Sequence, residues 1–267
     1  MSSLQRSLRR AEPSLISLYA ISSFLILFLV LPLISLYMMF SPRVAEKIFS
    51  SPEMTKQVRD AFITSITASL IAVAILTLLG VPLAYILARH DFRGKGLIET
   101  IIDVPFVMPH AVAGIMILAA YSHRGVFGSL TSSIGLRIQD AFAGIVAVMI
   151  FVSAPILVDT VKAGIASIDP MLEAVARSLG ASPLRAFIDI IVPMTLRHII
   201  AGIILAWARA LSEVGALLIV AYYPMTINIL IIEYMNIYGL SYAVVLSVLF
   251  ASLAIALFAS LRAVIKK

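Results

Sequence analysis

The 267-residue chain has no cysteine, one tryptophan and four histidines, and only 13% of its residues are charged. Without cysteine there is no disulfide and no thiolate metal site. No G-x-x-x-x-G-K-[ST] run occurs, because Gly94-Lys95 lacks both the upstream glycine and the following hydroxyl; ATP cannot be cradled by that route. H-E-x-x-H and G-x-S-x-G are also missing, which removes the usual zinc-protease and hydrolase sites. No internal repeat or low-complexity segment is evident. No catalytic residue, metal site or cofactor is expected, and the chain is not read as an enzyme.

What the chain does hold is apolar surface. It is 61% hydrophobic, with a mean hydropathy of +1.07, where soluble domains are about half apolar and a quarter charged. We read an all-α membrane protein with six transmembrane helices, over about 15–39, 61–87, 97–121, 141–161, 197–221 and 240–261. The first run is too long for the core of a signal peptide and is expected to stay as a span, kinked at Pro32. A polar loop is expected over 40–58. Two parts are expected: residues 1–56, with the N-terminal segment, first span and external loop, and a five-span core over 57–267. Thr64, Ser65, Thr67 and Ser69 suit close helix packing and cross-helix hydrogen bonds, or an aqueous path. The net charge of +6 is orientation charge and not a nucleic-acid footprint. Six spans put both termini on one side with Arg6, Arg9, Arg10, Arg89, Arg93, Lys95, Lys162, Arg177, Arg185, Arg197, Arg262, Lys266 and Lys267. The other side has Arg43, Lys47, Lys56, Arg59, Arg124 and Arg137. The richer side is cytoplasmic by the positive-inside rule, in a multi-pass protein of the cell membrane.

One stretch cannot cross a bilayer. From Ser167 to Pro193, Asp169, Glu173, Arg177, Arg185 and Asp189 recur every few residues, and each charge at a helix centre costs about 2.5–3.5 kcal/mol on an insertion scale. It belongs to a cytoplasmic loop over 163–196. The spacing predicts two short helices: Asp169 and Pro170 start the first, Gly180 stops it, Ser182 and Pro183 start the second, and Pro193 closes it. Glu173 and Arg177 share a face at i, i+4. Such a segment is either an amphipathic connector on the headgroups or a rigid plug that docks into another protein.

The stretch resembles the coupling loop of ABC-transporter permeases of the importer type. That pattern is E-A-A, three residues, glycine, nine residues, then I-x-L-P. Here Val175-Ala176 stand at the alanine places, and Gly180 is followed by nine residues and Ile190-Ile191-Val192-Pro193. Ala174 stands where the family usually has glutamate, with the acid one place earlier at Glu173, and Val192 replaces leucine. The resemblance implies the type I importer permease fold, with Glu173, Val175, Ala176, Arg177, Leu179, Gly180 and Pro183 coupling to an ATPase. It implies as partners two ATP-binding cassette subunits, an external substrate-binding protein, a second copy of the chain, and membrane lipid.

Two further segments resemble those of tungstate and molybdate permeases: Asp103-Val104-Pro105-Phe106-Val107-Met108-Pro109-His110-Ala111-Val112-Ala113-Gly114 and Trp207-Ala208-Arg209-Ala210-Leu211-Ser212-Glu213-Val214-Gly215-Ala216. With Ala84-Tyr85-Ile86-Leu87-Ala88-Arg89 and the coupling loop, the likeness covers most of residues 80–225. It implies a pathway for an oxyanion, with sulfate, thiosulfate or another small anion as the alternative. Arg209 stands about 18 Å into the fifth span, near mid-membrane, with Glu213 one turn on. Arg209, Ser212, Glu213 and His110 are therefore candidate pathway residues. The Arg–Glu pair alternatively neutralises itself and pins helices, and His110 alternatively packs. An ATP-independent channel would need a ring of filter residues, and an intramembrane enzyme paired catalytic groups. Neither pattern is recognisable among Asp103, His110 and Glu213.

Overall fold

A computed structural model describes residues 13–265, and every regular element in them is helical. Arg6, Arg9, Arg10, Lys266 and Lys267, and the Arg262 side chain, lie outside the described residues. Helix α1 spans Pro13–Met38, α2 Pro42–Ser50, α3 Pro52–Arg89, α4 Lys95–Val107, α5 His110–Tyr121 and α6 Gly128–Ser133. Then follow α7 Phe142–Ala166, α8 Pro170–Ser178, α9 Pro183–Leu211, α10 Leu217–Val220, α11 Ile227–Tyr238 and α12 Leu240–Ile265. Five of the described helices are long and apolar enough to cross a membrane: α1, α3, α7, α9 and α12.

Several expected boundaries are corrected. Residues 40–58 are not a loop. Ser41-Pro42 and Ser51-Pro52 each place a serine at the N-cap and a proline at the first helical position, and the Ser51 hydroxyl accepts from the Met54 N–H at 3.4 Å. Helix α3 therefore starts outside the apolar run and is 38 residues long, about 57 Å at 1.5 Å per residue. The expected division at 56/57 falls inside it. The third apolar run is two helices, α4 and α5. Pro109 disfavours helix at the residue before it, and Met108 is extended at ψ 133°.

The loop 163–196 is corrected at its far end. Asp169 caps α8 by accepting from the Met171 N–H at 2.9 Å. Gly180 follows α8 with φ +95°, and Ser182 caps α9 by accepting from the Arg185 N–H at 3.2 Å. Pro193, however, closes nothing. Proline inside a helix removes one donor and crowds the carbonyl four residues back. A π turn over Phe187–Ile191, in which the Val192 N–H donates to the Phe187 carbonyl, makes the room. The second short helix thus runs straight into the fifth apolar run, so α9 begins at Pro183 instead of 197. It ends at Leu211 instead of 221, and α11 occupies what reads as loop before the last span.

The core lies where α3, α7 and α9 meet, closed by α5 and α10; Ala72, Leu76, Ile145, Leu157, Val161, Ala206 and Leu217 are among its buried residues. A second cluster joins α2 and the start of α3 to α11 and α12 through Ile48, Ala61, Leu230, Tyr234 and Val245. Lys162 on α7 ties α4 in, 3.3 Å from Glu99 and 3.2 Å from Asp159. Helix α1 stands apart: no residue of its apolar stretch Ser17–Met38 is buried, and the Tyr37 hydroxyl meets Ser252 of α12 at 2.9 Å.

Candidate functional site

Two helix interruptions face each other at the edge of the core. One is the extended Met108-Pro109 between α4 and α5; the other is residues 212–216, between α9 and α10. An interruption leaves backbone groups without helical partners, and away from water these need substitutes. Asn228 supplies two, its Nδ2 donating to the Leu211 carbonyl at 2.8 Å and to the Glu213 carbonyl at 3.1 Å. The Glu213 carboxylate supplies a third by accepting from the Ala216 N–H at 2.9 Å.

The same carboxylate gathers the charged side chains. Glu213 Oε2 lies 2.8 Å from an Arg209 terminal nitrogen, one helical turn back, and 2.8 Å from His110 Nδ1 across the junction. The Glu213 side chain is fully buried, while Arg209 is 22% and His110 56% exposed. The anion therefore sits inside, the guanidinium is half-buried beside it, and the His110 ring opens to the surface. Arg209 also comes within 3.3 Å of His110 Nδ1. That nitrogen serves one partner at a time: carrying a proton it donates to Glu213, and without one it accepts from Arg209. His110 thus packs against the junction and also presents its ring outward. Ser212 is exposed, its hydroxyl donating to the Arg209 carbonyl at 3.1 Å. All four candidate pathway residues meet here.

Close approach makes the junction possible. A Cβ on Gly215 would stand 2.6 Å from the His110 Cβ, and one on Gly114 2.8 Å from the Ala216 carbonyl oxygen. Helix α3 braces the other side. The Trp207 indole N–H donates to the Ser69 hydroxyl at 2.9 Å, and the Ile227 N–H donates to the Ser65 hydroxyl at 2.8 Å. These two serines link helices, as expected of them, whereas the Thr67 hydroxyl donates back to the Ile63 carbonyl of its own helix. Asn228, Gly215 and Tyr85 were not singled out from the sequence as site residues. An amide side chain inside the apolar run 225–232 was the available signal for Asn228.

The second candidate site is the coupling stretch. Leu172, Val175 and Leu179 are exposed, Leu179 at 83%. A cleft of about 350 Å³ runs between α8 and the start of α9, with Ala176, Gly180, Arg185 and Asp189 in its wall. Arg177 and Pro183 are exposed beside it. Glu173 alone of the expected set turns inward: it accepts from the Tyr85 hydroxyl and lies 3.6 Å from Arg89 Nε, both at the end of α3.

Comparisons with known proteins agree on a family. Residues 79–267 match the family described as the binding-protein-dependent transport system inner membrane component. The chain is 42% identical to a molybdate/tungstate transport system permease protein of Pyrococcus abyssi, over 93% of this chain and 94% of that one. It is 41% identical to a protein of the same description from Methanocaldococcus jannaschii, over 88% and 90%. It is 33% identical to a probable sulfate transport system permease protein of Chlorokybus atmophyticus, over 95% and 88%. Among solved structures, a chain of a bacterial ABC transporter involved in the import of the acidic polysaccharide alginate superposes with TM-score 0.74 at 19% identity, covering 99% of both chains. The same transporter fold was also solved in complex with an alginate pentasaccharide-bound periplasmic protein, with TM-score 0.74 at 18% identity over 97% and 96%.

Proposed function

The chain belongs to the family of inner membrane components of binding-protein-dependent transport systems, and from that premise we propose that it is the permease of an ATP-driven importer of molybdate or tungstate. Transport is its work, and ATP hydrolysis belongs to a separate subunit. The observation that carries the substrate reading is the Arg209–Glu213–His110 cluster. A tetrahedral dianion leaving water needs fixed donors and positive potential in place of hydration. It must also be released, so binding cannot be tight. A guanidinium held by a buried carboxylate offers donors with little net charge, and it does so at helix breaks, where transporters of other folds bind their cargo. The identity to molybdate/tungstate permeases over nearly the whole chain supports the same cargo. The lower identity to a sulfate permease keeps sulfate as the second reading.

In this reading the chain crosses the membrane six times, with α4 and α5 together as the third crossing and both termini in the cytoplasm. Two copies enclose one pathway. The exposed face of α8 and the cleft beside it receive the ATPase, two copies per transporter, through Val175, Ala176, Arg177, Leu179, Gly180 and Pro183. An external binding protein delivers the anion. The test is uptake into proteoliposomes holding the chain with its ATPase and binding protein. ATP-dependent molybdate accumulation that a hundredfold excess of sulfate leaves intact (a ratio of about 2.7 kcal/mol in affinity) is expected. Accumulation of sulfate in preference would transfer the reading to sulfate, and uptake without ATP would end the importer reading.

A further inference from the structure

Tyr85 and Arg89 stand one turn apart at the C-terminal end of α3, and both hold Glu173, the only carboxylate within α8. The Tyr85 hydroxyl donates to Glu173 Oε1. Arg89 Nε lies 3.6 Å from Glu173 Oε2, and the Arg89 Nη2 donates at 2.9 Å to the Ile168 carbonyl, just before the cap of α8. The Arg89 and Glu173 side chains are 9% and 13% exposed. On the other side the Phe187 ring packs on Tyr85, with centroids 4.7 Å apart. Beyond this clasp, α8 touches the first turns of α9, and it is joined to its neighbours in sequence by short irregular segments at 167–169 and 179–182. Gly180 in the second of these has φ +95°.

Higher on the same helix, α3 holds the site. Ser69, about 24 Å along the axis from Tyr85, receives the Trp207 N–H two residues from Arg209. Ser65 receives the Ile227 N–H, next to Asn228, which closes the 212–216 break. We infer that Tyr85, Arg89 and Glu173 are positioning residues that lock α8 onto α3, and that α3 carries a displacement of α8 to the Arg209–Glu213–His110 junction. Helix α3 runs unbroken through Pro82 between Tyr85 and Ser69, and a continuous α-helix is stiff along its axis, whereas the irregular ends of α8 absorb movement. Without the clasp a push on α8 is spent at Gly180. The segment 84–89 thereby acquires a task of its own. The inference rests on the importer reading for the origin of the push.

Since the chain has no cysteine, Ser212→Cys gives a single reporter beside the junction. Its rate of reaction with a soluble maleimide is measured in the reconstituted complex with the ATPase, with and without a non-hydrolysable ATP analogue. With the clasp intact the rate changes by about fivefold or more, the lower range of coupling between sites. In Tyr85→Phe the response falls below twofold, while ATPase affinity and basal ATP hydrolysis are unchanged. Glu173→Gln keeps an acceptor for Tyr85 but loses the charge facing Arg89, and falls between. In the chain alone, hydrogen exchange over 170–178 rises roughly three- to tenfold in Tyr85→Phe, as the loss of one hydrogen bond implies. A full reporter response in Tyr85→Phe, no response with the clasp intact, a drop in ATPase affinity in its place, or unchanged exchange over 170–178 overturns the inference. The importer reading fails separately, on absence of anion uptake by the intact complex.

Discussion

Glu213 is a buried acid with three donors available to it: the Arg209 guanidinium, the Ala216 N–H and the His110 ring. Its energetic role follows from what each substitution strands. Glu213→Ala leaves the partly buried guanidinium and an inward-facing N–H without an anion, and removing one member of a buried pair costs about 3–5 kcal/mol. Glu213→Gln keeps an acceptor for Ala216 and should cost less than half as much, read as detergent-extracted melting temperature. Gly215 is constrained by space alone. The Cβ of alanine there would press on the His110 Cβ at 2.6 Å, and overpacking of this kind costs about 1–3 kcal/mol. Gly215→Ala should therefore lower the melting temperature and push the two breaks apart; an unchanged melting curve would mean that α5 has slack which the structure denies it.

At the scale of elements, α8 is built for contact and not for a core. Three large apolar side chains on it face outward, and its ends are fixed by Asp169 and Gly180. Ala176→Glu places a charge in the wall of the cleft and is expected to leave the protein inserted while the ATPase no longer co-purifies. Gly180→Leu adds bulk at a left-handed position, with a strain of roughly 1–2 kcal/mol, and is expected to uncouple transport. Normal co-purification together with normal uptake in both variants would remove this face from the interface. The caps of α8 and α9 were legible in the sequence because capping is chemistry between residues two or three apart. The break at Met108-Pro109 had a local signal in its proline, but the apolar run continues through it and reads as one span. The end of α9 at Leu211 had almost none, since its carbonyls are satisfied by Asn228, seventeen residues on, and only tertiary contact brings that amide there. Pro193 misled for the opposite reason. Its local rule is sound, but a wider π turn absorbs the proline and lets the helix continue.

In the described residues, three long apolar helices, α3, α7 and α9, pack on one another, and the Arg209–Glu213–His110 junction lies at the end of α9. The topology has a direct check, because any introduced cysteine is unique. A cysteine replacing Arg43 should react with an impermeant reagent from outside intact cells, and one replacing Arg185 should not; the reverse would invert the chain. The composition and hydropathy made the membrane class legible. They said nothing of how far the site's polar groups satisfy one another. Whether the junction lines the pathway is decided by uptake in proteoliposomes, per unit of folded protein, for Arg209→Ala and for Arg209→Ala with Glu213→Ala. The single change leaves a bare buried anion facing the route and should abolish molybdate uptake. The double change removes that repulsion and should restore part of it at comparable folded yield. Equal uptake per folded molecule in wild type and both variants would contradict the account and leave the pair a structural pin.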